Sequence, residues 1–151
     1  MRSAKRALIG VGAALWIAYA GVGGYAVPDD RLTPGQIATS DPNVICHRGY
    51  SRSQRLYDSD PEGYIRLRAA VMRAYHIAPV DRGKFELDHR VPACLAGTPT
   101  FANSWPQIWD EARVKDRIEA QACRAACREH TVEAVERWQR AFEGDWRRIR
   151  P

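Results

Sequence analysis

Apolar positions fall into one unbroken run and several periodic stretches. Residues 7–27, ALIGVGAALWIAYAGVGGYAV, carry no charge over 21 positions and follow Arg2, Lys5 and Arg6. A basic lead, an apolar stretch and the small residues of Ala18-Tyr19-Ala20 and Gly24-Tyr25-Ala26 predict an export signal over residues 1–26. A retained N-terminal membrane anchor is the alternative, since 21 residues at about 1.5 Å each just span the hydrocarbon. Residues 27–59, rich in Pro, Asp, Ser, Gly and Arg, show no sustained period and read as an irregular lead-in. Asp60-Pro61-Glu62 then starts a helix over 60–76, with Tyr64, Leu67, Val71 and Tyr75 at helical spacing. Phe85 to Val91 alternates apolar and polar residues, the mark of a strand, and Pro92 closes it. Residues 92–107, with Gly97, Pro99, Asn103 and Pro106, read as a hairpin or loop region. A second helix fits from Asp110, with Val114, Ile118 and Ala122 inward. A third opens at Thr131, with Val132, Val135, Trp138 and Phe142 at helical spacing. This order predicts an α+β fold, with residues 60–151 as its working domain.

Composition narrows the picture. At 151 residues the chain suits one domain, and 45% apolar residues with five Trp and six Tyr exclude wholesale disorder. A single apolar run excludes a multi-span membrane protein. The 23 basic against 18 acidic residues give +5, but Arg2, Lys5 and Arg6 supply three of those charges. The remaining +2 points only weakly to nucleic acid. Arg137, Arg140, Arg147, Arg148 and Arg150 gather near Trp138 and Trp146, which reads as a solvated helix face packed by tryptophans, with a phosphate-tracking strip as the alternative.

An exported domain changes the meaning of its cysteines. Cys46, Cys94, Cys123 and Cys127 are four in an oxidising compartment, so two disulfides are expected. Cys123 and Cys127 lie one helical turn apart, where bridging them would strain the geometry. That leaves 46–127 with 94–123, or 46–123 with 94–127. A four-cysteine zinc site is disfavoured because the chain has no C-x-x-C pair.

Chemistry concentrates between residues 85 and 115. Asp88 and the Asn103 amide oxygen are donors of the type a hard divalent cation prefers. His89 can serve as a base near neutral pH. Lys115 could meet a phosphate as a point charge. The stretch FELDHRVPACLAGTPTFANSWPQ resembles the core of the HNH nucleases, the ββα-metal or His-Me finger group, and most closely an exported bacterial subgroup. Glu86, Leu87, Asp88, His89, Val91, Pro92, Leu95, Gly97, Asn103, Trp105, Pro106 and Gln107 carry the likeness, together with the 14-residue step from His89 to Asn103. Lys115, Asp116, Glu119, Cys127 and, upstream, Leu32 to Gly35, Cys46 and Gly49-Tyr50 extend it over most of the exported part.

The resemblance implies a two-stranded hairpin and a helix gripping one Mg²⁺ or Mn²⁺ ion. His89 would be the general base and Asp88 a metal ligand, with Asn103 either a second ligand or the residue that holds the loop. The place of the family's second metal-binding histidine falls at Glu111 and Ala112, so Glu111 is the expected third ligand. Cys94 and Cys123 are both additions to the subgroup pattern, which implies a 94–123 bridge and leaves 46–127 as the shared one. The function so implied is a periplasmic or secreted endonuclease acting on DNA more than RNA, with no small-molecule cofactor. An inactive envelope binding module on the same scaffold is the alternative.

Overall fold

The computed structural model describes residues 27–150, so the signal or anchor expected over 1–26 lies outside the described residues. The fold is mixed α and β, with one two-stranded antiparallel sheet and two disulfides. Three one-turn helices, α1 (Pro42–Ile45), α2 (Tyr50–Ser53) and α3 (Leu56–Ser59), occupy the stretch expected to be irregular. Helix α4 (Pro61–Ala74) starts where the capping pattern placed it: the Asp60 carboxylate accepts from the Gly63 amide at 2.9 Å, and Pro61 takes the first turn.

Strand β1 (Phe85–His89) pairs antiparallel with β2 (Ser104–Ile108), Glu86 opposite Gln107, Asp88 opposite Trp105 and His89 opposite Ser104. The strand expected to reach Val91 ends two residues earlier. The chain bends at Arg90 and Val91, where the Arg90 amide donates to Asn103 O at 2.7 Å and the Val91 amide to the Asn103 side chain. The long helix α5 (Trp109–Glu129) follows β2 directly and lies on the sheet, and α6 (Val132–Glu143) is capped by the Thr131 hydroxyl.

One inward assignment on these helices does not hold. Val114 is exposed, as is Val132 at the start of α6. The buried row of α5 is instead Ala112, Lys115, Ala122 and Ala126, an i, i+3, i+4 ladder that leaves position 114 on the outer side. The small alanines let the helix approach the sheet closely, while Trp105, Leu95, Val71, Tyr75 and Phe142 fill the core around it.

The disulfides join Cys46 to Cys127 and Cys94 to Cys123, the pairing the resemblance implied. The first ties the segment before α2 to the end of α5. The second ties the turn between the strands (Ala93–Leu95) to the same helix. Two disulfides are compatible with an extracytoplasmic location, and among the described residues no helix is long and apolar enough to cross a membrane.

Candidate functional site

A cavity of about 520 Å³ opens beside the end of β1. Glu86, Asp88 and His89 of β1 line it together with Asp116 and Glu119 of α5. Its outer wall comes from Arg55, Tyr57, Asp58 and Tyr64, and Pro92 to Cys94 and Pro99 close another side. Neighbouring side chains on a strand point to opposite faces. Asp88 and His89 nevertheless share this cavity, and His89 is the last residue of the strand before the bend.

Lys115 organises the charge beneath the cavity. Its side chain is only 1% exposed, and its ammonium meets the Asp88 carboxylate at 2.8 Å, the Glu119 carboxylate and the His89 carbonyl at 2.7 Å. Burial alone would lower the Lys115 ammonium, but the two carboxylates hold it above the ordinary lysine range. One cation faces many anions. Burial, reinforced by Asp88, Asp116 and Glu119, pushes the Glu86 carboxyl up to about 7. Burial and the Asp88 charge also raise Asp116, and burial raises Glu119 despite the Lys115 ammonium beside it. In the opposite direction, burial lowers the His89 imidazole, against the pull of Asp88. A histidine so placed is neutral at neutral pH and can accept a proton.

Three residues expected at the site are placed elsewhere or used differently. Asn103 is fully buried and turned away from the cavity. Its Oδ1 accepts from the Val91 amide at 2.9 Å, and its Nδ2 donates to Val91 O and Thr98 O, both at 3.0 Å. It therefore holds the loop between the strands, the second of its two expected roles, and has no free oxygen aimed at a ligand. Gly97 belongs to the same brace: a Cβ there would come 1.7 Å from Val91 O and 2.8 Å from Asn103 Nδ2, so no larger residue fits. Glu111, the expected third ligand, sits in the first turn of α5 and is not part of the cavity lining; its Oε2 is buried there without a hydrogen-bond partner. Lys115, expected to meet a phosphate, is too deeply buried and fully engaged to do so. The C-terminal arginines are largely paired, Arg137 with Glu129, Arg140 with Glu136 and Arg147 with Asp145, as a solvated face requires.

Conversely, Glu86, Asp116 and Glu119 line the site without having been singled out for it. Periodicity holds the signal that finds them. Glu86 is two residues before Asp88 and shares its strand face, and Glu119 is one helical turn beyond Lys115. Among the described residues no group of three His, Cys, Asp or Glu side chains is already gathered at metal-binding distance. The chemical type of the donors nonetheless fits a hard divalent cation: several carboxylates line one cavity, and burial, with neighbouring carboxylates adding to it, raises Glu86 and Asp116. No protein-family model matches the chain, and neither does any curated protein or any solved structure.

Proposed function

We propose that this chain is an exported, divalent-metal-dependent endonuclease of the HNH type, hydrolysing phosphodiester bonds of DNA in preference to RNA. The observation that carries the reading is a half-buried, neutral histidine opening into the same cavity as a cluster of carboxylates, on a strand–strand–helix unit of the order the resemblance requires. Asp88 with Glu86 and Asp116 would hold an Mg²⁺ or Mn²⁺ ion. When bound, that ion supplies Lewis-acid stabilisation of the charge that builds on the phosphoryl oxygens. His89 takes the proton from the attacking water, a task that its lowered proton affinity suits at neutral pH. Lys115 acts from beneath, fixing the Asp88 carboxylate and the His89 carbonyl so that both residues keep their orientation. Asn103 and Gly97 fix the loop that follows His89.

The test is cleavage of supercoiled plasmid, circular single-stranded DNA and RNA by the full-length oxidised protein, with Mg²⁺ or Mn²⁺ and with chelator. Divalent-dependent cutting is expected, and His89→Ala should reduce it by at least about a hundredfold with an unchanged near-ultraviolet dichroism spectrum. Wild-type protein that cuts none of these substrates with any divalent ion refutes the reading. One observation favours a second reading: Lys115 already neutralises Asp88. An inactive binding module on this scaffold would give neither turnover nor divalent-ion uptake in calorimetry.

A further inference from the structure

The hydrolytic reading leaves one wall of the cavity without a task. That wall carries Arg55 and Tyr57, at the start of α3 and within it, and Tyr64 of α4. The Tyr57 and Tyr64 rings meet edge to face with centroids 5.3 Å apart, which fixes Tyr57 in place. Tyr57 is still 64% exposed, so most of its ring surface remains open to solvent. Arg55 is the only Lys or Arg in the cavity lining, and it has no ion pair among the described residues. The other charged residues of the lining, Asp58, Glu86, Asp88, Asp116 and Glu119, are all acids. A pinned, exposed aromatic and a guanidinium without an ion pair in one cavity lining can stack a base and hold its phosphate.

Size decides which form of nucleic acid can use it. The cavity has the volume of a small-ligand pocket, and His89 is a half-buried part of its lining. A duplex, stiff over about 150 base pairs, enters such a recess only where it is locally unpaired, as under the torsion of a supercoiled plasmid. An unpaired strand can turn one nucleotide into it. We infer that Tyr57 and Arg55 form a base-stacking and phosphate-holding subsite that selects unpaired nucleic acid over duplex. The inference rests on the nuclease reading for the identity of the polymer, but the subsite binds without His89 and without turnover.

The test therefore measures binding in a chain that does not cut. Full-length oxidised His89→Ala protein, checked for native near-ultraviolet dichroism, is titrated in Mg²⁺ into fluorescein-labelled oligothymidylate, alone or annealed to oligodeoxyadenylate, and anisotropy is followed. Wild-type protein in Ca²⁺ repeats the titration should the variant lose its fold. The single strand should bind at least about tenfold tighter than the duplex, and adding Tyr57→Ala should weaken single-strand binding about tenfold. Tyr57→Phe, which keeps the ring, should restore it. Arg55→Gln should weaken binding and flatten its dependence on salt. Equal affinity for the two forms, or single-strand binding unchanged by Tyr57→Ala, overturns the subsite while plasmid cleavage by the wild type still supports the nuclease. Selective single-strand binding by a wild type that cuts nothing leaves the subsite standing and removes the nuclease.

Discussion

At the scale of single residues, the site separates side chains that line the cavity from side chains that hold them in place. Asn103 belongs to the second kind. Its amide serves both the N–H and the C=O of Val91, so truncation leaves two buried backbone groups without partners. Asn103→Ala should cost about 2–4 kcal/mol in urea unfolding, while the affinity of the folded protein for Mn²⁺ in calorimetry changes little. A large loss of Mn²⁺ affinity with intact stability would return Asn103 to the ligand set. The sequence placed Asp88, His89 and Asn103 in one region because a short pattern of residue types and spacings marks it. It could not say which of them faces the cavity, since that depends on where β1 ends and how the next five residues turn. Lys115 shows the same limit. Its helical position was legible, but its burial between Asp88 and Glu119 emerges only when α5 docks on the sheet.

Among elements, the two disulfides divide the work of holding the cavity open. Cys94–Cys123 pins the inter-strand turn to α5, and Cys46–Cys127 pins the segment leading to α2, whose neighbours α3 and α4 form the outer wall. Their loops differ in length, with sequence separations of 29 and 81. Loop-closure entropy then assigns about 3.6 kcal/mol to the shorter loop and about 4.5 kcal/mol to the longer. Cys46→Ser/Cys127→Ser should therefore unfold at lower urea than Cys94→Ser/Cys123→Ser, by a difference of about 1 kcal/mol. The 94–123 variant should instead lose catalysis disproportionately, because the turn it frees follows His89 directly. The reverse order in urea, or equal losses of activity, would show that loop length and turn position do not govern the two bridges. The main helices were legible from capping and period: Asp60-Pro61 and Thr131 mark their starts on the chain itself. Strand β2 was not, since Ser104, Trp105, Pro106 and Gln107 are all buried and give no alternation to read. Val114 failed for a related reason, because α5 turns a lysine and alanines inward rather than its larger apolar side chains.

For the whole molecule, a chain of net charge +5 carries a cavity whose charged lining residues, Arg55 apart, are acids, and this contrast predicts how stability responds to pH and to cations. Glu86 has its carboxyl pushed up to about 7 by burial and by Asp88, Asp116 and Glu119. The folded state thus binds this proton more tightly than the unfolded chain, whose glutamate titrates near 4.5. The resulting stabilisation is complete below that value and is lost as pH rises towards 7. His89 works in the opposite sense, since its lowered affinity makes acid destabilising, so the clean measurement compares variants rather than absolute curves. Glu86→Gln cannot ionise, and its melting temperature relative to wild type should climb between about pH 5 and pH 8 in chelator. A divalent ion should act as the proton does. Mn²⁺ should raise the wild-type melting temperature more at about pH 8 than at about pH 5, where protons compete for the carboxylates, and should raise that of Glu86→Gln less. Parallel melting curves for the two proteins across this range, with and without Mn²⁺, would mean that the crowded carboxylates neither store electrostatic strain nor await a cation. The site would then lose the feature that most distinguishes it from an ordinary surface cleft.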